Sequence, residues 1–475
     1  MARTLPARHR RAVLLLALCT SACASVPNLG TPPSPRGDAL AAASQTSLAG
    51  TASAWPTDGW WHRYDDPQLS RLIDEALAGS PDLAAATARI GAAEGMAQRA
   101  GAALNPSADA FGSVQETKLS KNDGIPAAFV PGGWNDTGSV GLGVSVNLDL
   151  WDKNRAALRA AKLDLQAARF DALEARLALT TGIASAYAEL AALYAQQASD
   201  RAAIDIRTRT LGLVAGRTGQ GLDNDSALHQ ARARLEQSQA NLAATDEAIQ
   251  LAKNALAALV GNGPDRALTI GRPVIAALAA QGVPDDASLD LIGRRPDIAA
   301  ARARADAAAQ RIKAAKADFY PNLSLSGLVG MQSFGLDNLL KSGSTFGGVG
   351  PAVTLPIFHG GALQGQYRTA RGDYDEAVAL YDRQVAQALR ETADTLASQR
   401  MLASRLDSSR RVLADFEEAN RLARLRYARG LSTYLDVLSA EEGVLDSRLA
   451  VARLQTRAFA LDVALVRALG GGFHS

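Results

Sequence analysis

Residue types that do chemistry are few and scattered in this 475-residue chain. Its histidines, His9, His62, His229, His359 and His474, lie far apart and define no metal site. No HExxH, CxxC, phosphate-binding loop or nucleophile elbow occurs, and the glycine clusters near Gly132 and Gly347 lack the strand-to-helix context of a nucleotide fingerprint. The run Asp223-Asn224-Asp225-Ser226 lacks the rest of a calcium loop and reads as helix capping. No catalytic residue, metal or cofactor is expected, and an enzyme is the weakest reading.

One thiol is the exception. Both cysteines, Cys19 and Cys23, close a leader in which Arg3, Arg8, Arg10 and Arg11 precede an apolar run from Ala12 to Leu18. That run is far shorter than the ~20 residues a spanning helix needs, so residues 1–22 read as an export signal. Thr20-Ser21-Ala22-Cys23 resembles a bacterial lipoprotein box, with Thr20 where leucine is usual. Cys23 is then a lipid attachment site, and residues 23–54, rich in Ser, Pro, Ala and Gly, form an acylated tether; the bland alternative is an ordinary cleavage site with a chance cysteine. Without the leader's arginines the formal charge moves from +2 to −2, and nothing suggests nucleic acid as a partner. No stretch beyond the leader reads as a transmembrane helix.

What positions anything else is a duplication. "SPDLAAATARIGAAEGMAQRAGAALNPSADAFG" from Ser80 aligns without a gap on "RPDIAAARARADAAAQRIKAAKADFYPNLSLSG" from Arg295, and "RTGQGL" and "NALAALVG" align on "RYARGL" and "VALVRALG". The chain divides into a first repeat over 55–261, a crossover linker over 262–294, a second repeat over 295–470 and a tail over 471–475. Each repeat runs helix, strand, loop, strand, very long helix, tight turn, helix. Pro81 and Pro296, each followed by Asp, suit a first helical turn. The proline-free stretch from Asp152 to Gly216 predicts a helix of about 98 Å, matched by 362–429 in the second copy. Shorter helices return over 223–260 and 432–469. With 47% hydrophobic but only 5% aromatic residues, the composition suits close-packed helices.

Strands are expected at 106–115, 139–150, 321–331 and 347–358. In "SVGLGVSVNLDL" every even residue from Val140 to Leu150 is large and apolar, and every odd one is Gly, Ser, Asn or Asp. Twelve such residues, tilted by ~40°, project to ~30 Å, about one bilayer. Four strands cannot close a barrel, and an open edge in lipid strands backbone groups at several kcal/mol each, so the chain must oligomerise. Eight strands would be plugged by side chains, whereas twelve can leave a pore. Trp151, Phe319, Tyr320 and Phe358 either form an aromatic girdle at one membrane face or pack the strand-to-helix junctions.

With these pieces in place, the chain resembles the TolC-like outer-membrane factors of tripartite efflux pumps, in particular the NodT-type lipoprotein branch serving resistance-nodulation-division transporters. The likeness runs from about Trp55 to Gly471 and rests on "WWHRYDDPQLSRLIDEALAGSPDL", "RRPDIAAARAR", "ADFYPNLSLSG" and "RYARGLSTYLDVLSAEEGVL". It implies a mixed membrane α/β fold of duplicated strand pairs and very long helices. Three chains would share a 12-stranded outer-membrane β-barrel and a periplasmic α-helical coiled-coil barrel. It implies a homotrimer that docks on a periplasmic adaptor and an inner-membrane transporter to export small amphipathic compounds.

The family's periplasmic tip falls on Gly221, Leu222 and Asp223 and on Gly430 and Leu431. The glycines supply turns, Asp223 or Asp225 and Ser432 or Thr433 can cap the next helix, and the leucines are the adaptor contacts. The family's gate maps onto Leu435 and onto Ser439 and Glu442, which replace the usual Asp and basic residue, leaving Asp436, Glu441 and Glu442 as candidate substitutes or as a solvated helix face. Other readings are a duct for secreted polypeptides and an acylated periplasmic coiled-coil protein with a structural or adaptor role.

Overall fold

The structure, a computed structural model, describes residues 25–48, 53–122, 126–274, 282, 284 and 287–474. Along the chain run α1 (Gly37–Ala42), α2 (Gln45–Leu48), a 3₁₀ turn at Trp60–Tyr64, α3 (Pro67–Gly79), α4 (Pro81–Ala102), β1 (Ser107–Thr117) and β2 (Asn135–Leu148). Then come α5 (Lys153–Gly219), α6 (Asp225–Leu259), a 3₁₀ turn at Pro264–Thr269, α7 (Ala287–Arg294), α8 (Pro296–Ala317), β3 (Asn322–Phe334), β4 (Thr345–Thr354), α9 (Ala362–Ala428) and α10 (Tyr434–Ala468). The duplication is kept in length: 22 residues in α4 and α8, 67 in α5 and α9, and 35 in α6 and α10. β4 stops at Thr354, short of the expected Phe358, because Pro356 has no N–H to offer a ladder.

The chain forms two compact units, and each draws on both repeats. Among the described residues, one unit lies within the bounds Met1–Ser34, Ile90–Ala168 and Ala301–Leu380, and the other within Pro35–Arg89, Arg169–Ala300 and Tyr381–Ser475. The repeats are thus units of sequence and not of packing. In the first unit this follows from hydrogen bonding, since β2 of the first copy pairs with β3 of the second and all four strands make one antiparallel sheet in the order β1-β2-β3-β4.

In the second unit the core gathers around Trp60, Trp61 and Tyr64, with Leu69, Leu72 and Ile73 of α3 against Ile183, Tyr187 and Leu190 of α5. Tyr64 lies edge-on to Phe459 at 4.7 Å. Asp66 caps α3 by accepting from the N–H groups of Gln68 and Leu69, and its second oxygen accepts from the Tyr187 hydroxyl at 2.7 Å. One carboxylate therefore fixes both the start of α3 and its seat on α5.

Three segments show more structure than their sequence alone indicated. Residues 25–48 pack on the rest of the chain: Arg371 donates to the carbonyls of Gly30 and Thr31 at 3.0 and 2.8 Å, the Tyr374 hydroxyl donates to that of Pro33, and Ala41 and Leu48 are buried. A proline-rich segment has no internal backbone bonds, so its carbonyls are open to an arginine fork. The 262–294 stretch is likewise partly built, with Arg266 bidentate on Glu75 at 2.9 and 3.1 Å and α7 at its end. Finally, an 18-residue window of α5 is apolar and long enough to cross a membrane; half of it is buried inside the protein, as befits an alanine-rich packing helix.

The "RPD" at the start of α8 makes a buried ion cluster. Arg295, 5% exposed, donates to both carboxylate oxygens of Asp297 at 3.0 and 2.6 Å, to Glu391 at 3.0 Å and to the Ala468 carbonyl at 3.2 Å. Near this cluster, burial and the negative charge of Asp297 push the Glu174 carboxyl up to about 7. A raised acid holds its proton more tightly folded than unfolded, so stability declines as pH rises from about 4.5 to about 7. Glu174→Gln should leave stability near pH 4 unchanged and raise it at pH 8 by on the order of 1–3 kcal/mol; denaturant titrations at the two pH values measure this, and equal shifts at both would refute it.

Candidate functional site

The sheet and the two helical hairpin turns carry the residues that the sequence pointed to as contacts with other molecules. In the sheet, register sorts side chains into two faces. Val140, Leu142, Val144, Val146 and Leu148 stand opposite Met331, Val329, Gly327, Leu325 and Leu323, and beyond these lie Val349, Pro351 and Val353 of β4. This apolar face is unusually open for such residues, with Val349 82% exposed. The other face carries hydroxyl pairs, Ser107 with Ser145 at 2.9 Å and Ser113 with Ser139 at 2.8 Å. β1 and β4 each have one partner strand, leaving two free edges among the described residues. Gly330 admits no side chain, since a Cβ there would lie 2.5 Å from the Val140 carbonyl oxygen.

At the strand ends the aromatic residues divide. Trp151 stacks on Tyr320 at 4.9 Å and donates its indole N–H to the Pro321 carbonyl at 2.7 Å, both rings remaining substantially exposed. Phe358 is exposed as well, whereas Phe319 is buried edge-on to Tyr367 and packs the junction.

The helical turns share one backbone device. Leu222 N–H donates to the Arg217 carbonyl and Gly221 N–H to that of Thr218, at 2.9 and 3.0 Å; Leu431 to Arg426 and Gly430 to Tyr427 repeat it at 2.8 and 2.9 Å. This paired helix stop requires a left-handed residue, which Gly221 (φ 71°) and Gly430 (φ 74°) provide without strain. Leu222 and Leu431 follow, both exposed. Thr433 caps α10 in a reciprocal box with Asp436, but α6 is capped by Asn224 and not by Asp223 or Asp225.

Asp223 is engaged elsewhere. The Tyr427 hydroxyl donates to it, Arg217 Nε lies 3.4 Å away, and Arg217 also donates to the Tyr427 carbonyl at 2.9 Å with its guanidinium 4.6 Å from the ring centroid. Burial pushes the Asp223 carboxyl up, yet bonds from Tyr427, the Asn224 N–H and Arg217 outweigh it and hold the group below the usual range. The three residues staple the first hairpin to α9. Arg217 and Tyr427 were not singled out from the sequence; the signal was present where Thr218 and Ser432 of the aligned repeats face Tyr427 and Asp223. Beneath the staple, Val214, Ala231, Tyr434, Val437 and Leu438 form a small core.

The gate candidates separate by helix face. Leu435, Ser439 and Glu442 share a stripe of α10 at i, i+4 and i+7, the first two exposed and Glu442 paired with Arg234 at 3.3 Å. Asp436 is held in the cap. Glu441 is misplaced in that set: at 1% exposure it lies on the packed side with Val437 and Val444 and accepts from the Thr210 hydroxyl. Its carboxyl is pushed up by burial despite that bond and the charges of Arg424 and Arg207. Cys23 lies outside the described residues. Among the described residues no cluster of His, Cys, Asp and Glu could hold a metal.

An antiparallel sheet with an exposed apolar face and two free edges, joined to very long paired helices, accords with an outer-membrane channel. The profile of the outer membrane efflux protein family matches residues 72–262 and 289–471, and the chain belongs to that family. It is 35% identical over 371 residues to the fusaric acid resistance protein FusA of Burkholderia cepacia, covering 76% of this chain and 68% of that one. It is 29% identical over 438 residues to the multidrug resistance outer membrane protein MdtP of Escherichia coli K12, covering 89% and 88%. In structure it is similar to the outer membrane protein VceC of Vibrio cholerae, with TM-score 0.83 and 46% identity over 88% of this chain and 100% of that one. The protein is an outer-membrane component of an efflux system.

Loss of the staple should loosen the tip without unfolding the protein. Tyr427→Phe removes one bond to a charged acceptor, worth about 1–2 kcal/mol here, so amide exchange over residues 217–227 should quicken by roughly tenfold. The contribution of the depressed Asp223 carboxyl is present at neutral pH and fades as pH falls through its folded value, so the contrast between wild type and variant should shrink in acid. An unchanged exchange rate at pH 7 would remove the staple from consideration.

Proposed function

We propose that three copies seal β1 of one chain to β4 of the next. They would form a 12-stranded pore in the outer membrane, continued by a helical tunnel into the periplasm. The observation that carries this reading is the pair of free sheet edges beside an exposed apolar face. In hydrocarbon such edges leave backbone N–H and C=O groups unpaired, and closure by identical copies satisfies them all. The helical turns, with Leu222 and Leu431 exposed beside backbone stops, would dock a periplasmic adaptor that links the channel to an inner-membrane resistance-nodulation-division transporter. Leu435, Ser439 and Glu442 on one stripe of α10 would face the narrowed tunnel, with the Arg217–Asp223–Tyr427 staple restraining its opening. Acylation of Cys23 would add a lipid anchor. The names of FusA and MdtP support small amphipathic compounds as cargo.

Closure is tested by cysteine pairs, one on β1 at Asp109, Phe111 or Ser113 and one on β4 at Gly348, Gly350 or Ala352. At least one pair should give covalent trimers on oxidation in membranes. Monomers and dimers alone from every pair would defeat the barrel.

Export is tested by deleting the gene and profiling susceptibility to dyes, detergents and antibiotics. Wild type should restore resistance, while Leu222→Glu with Leu431→Glu should insert normally and restore little. Cys23→Ser should lose fatty-acid labelling. A deletion strain with unaltered susceptibility would overturn the efflux reading, full rescue by the double variant would remove the leucines from docking, and a labelled Cys23→Ser protein would end the anchor.

A further inference from the structure

Within the second unit, α5, α9 and α10 enclose a groove of about 700 Å³. Ala188 and Leu454, both buried, contribute apolar lining, and Arg405, Arg453 and Arg457 line it with exposed side chains. None of the three guanidiniums has a hydrogen bond or ion pair among the described residues. Some other arginines of this unit are paired, among them Arg63 with Asp462, Arg217 with Asp223, Arg295 with Asp297 and Arg448 with Glu417, whereas the groove gathers three without a partner among the described residues. Among the described residues Glu189 is the single carboxylate lining the groove, which leaves a clear positive excess.

This arrangement costs stability in the protein alone. Arg453 and Arg457 stand at i and i+4 on one helix, a like-charge spacing that disfavours the helix. Nor does the duplication require it, since the residues aligned with Arg405, Arg453 and Arg457 are Gln196, Ala244 and Ala248. Unpaired guanidiniums present planar forks suited to carboxylate, sulfonate or phosphate oxygens. Small apolar residues beside them leave room for a ring or short chain, and the volume fits a drug-sized molecule.

We propose that the groove is a transit site for amphipathic organic anions, binding the acid group at Arg405, Arg453 and Arg457 and the apolar body against Ala188 and Leu454. The proposal rests on the efflux reading above and adds a charge preference to it. The full-length channel in lipid nanodiscs is titrated with anilinonaphthalene sulfonate, and with ethidium as the cationic counterpart, empty nanodiscs serving as the blank. Arg453→Gln with Arg457→Gln should weaken the sulfonate by about tenfold, leave ethidium unchanged and leave single-channel conductance intact; Arg453→Lys with Arg457→Lys should weaken it much less. Equal sulfonate binding by wild type and the Gln variant overturns the site, as does a variant that changes oligomeric state, which would make the groove a protein interface. In cells, the efflux reading fails if deletion alters no susceptibility. The site alone fails if deletion matters but the Gln variant restores resistance to organic acids and to cationic dyes equally.

Discussion

A backbone group that has left water must find a partner in the protein, and this constraint organises the molecule. In β1 to β4 the strands pair in register from Ser107 opposite Ser145 to Met331 opposite Thr345, so among the described residues the outer margins of β1 and β4 are the ones left open. A soluble sheet can leave such margins to water or guard them with charge. Here the neighbouring side chains of β4 are Val349, Pro351 and Val353, which offer water nothing. The same constraint explains how the helices can be so long: an α-helix satisfies its own backbone, and only its ends need special devices.

Those ends show how little is required. A glycine with positive φ, two backbone bonds and one polar cap reverse the chain at Gly221 and again at Gly430, and an apolar cluster of Val214, Tyr427, Tyr434, Val437 and Leu438 packs beneath them. Backbone geometry accounts for the reversal but leaves the relation of one hairpin to the other undetermined. That relation comes from side chains crossing between copies, with Arg217 and Asp223 from the first meeting Tyr427 from the second.

Elements with a strict period were legible in the sequence. Alternation from Val140 to Leu148 gave the faces of β2, and prolines at 81 and 296 gave helix starts to the residue. Polar residues that choose among several partners were not legible. Asp223 is a good cap by type, but a phenol and a guanidinium reach it from residues 204 and 6 positions away, so Asn224 caps instead. Glu441 was readable and misread: Val437, Glu441 and Val444 recur at helical spacing on the buried side, and its charge suggested solvent where its position indicated packing. The docking of residues 30–36 on α9 has no periodic signature, since it depends on an extended backbone offering carbonyls to Arg371 and on Arg36 N–H reaching Asp382.

The duplication supplies the scaffold, and its departures supply the local contacts that differ between the two copies. Exchange the roles of the two hairpins and the staple cannot form: Arg426 would need an aromatic hydroxyl at Thr218 and a carboxylate at Ser432, and neither residue has the reach or charge. Arg295 has Ser80 as its mate, so the buried ion cluster belongs to the second copy alone. The groove arginines likewise face alanine and glutamine in the first copy. Two copies of one unit would give equal sides; each of these substitutions makes the sides unequal at a place where charge is held or presented. The duplicated scaffold therefore carries its interhelical staple, its buried ion cluster and its groove arginines at positions where repetition has been broken.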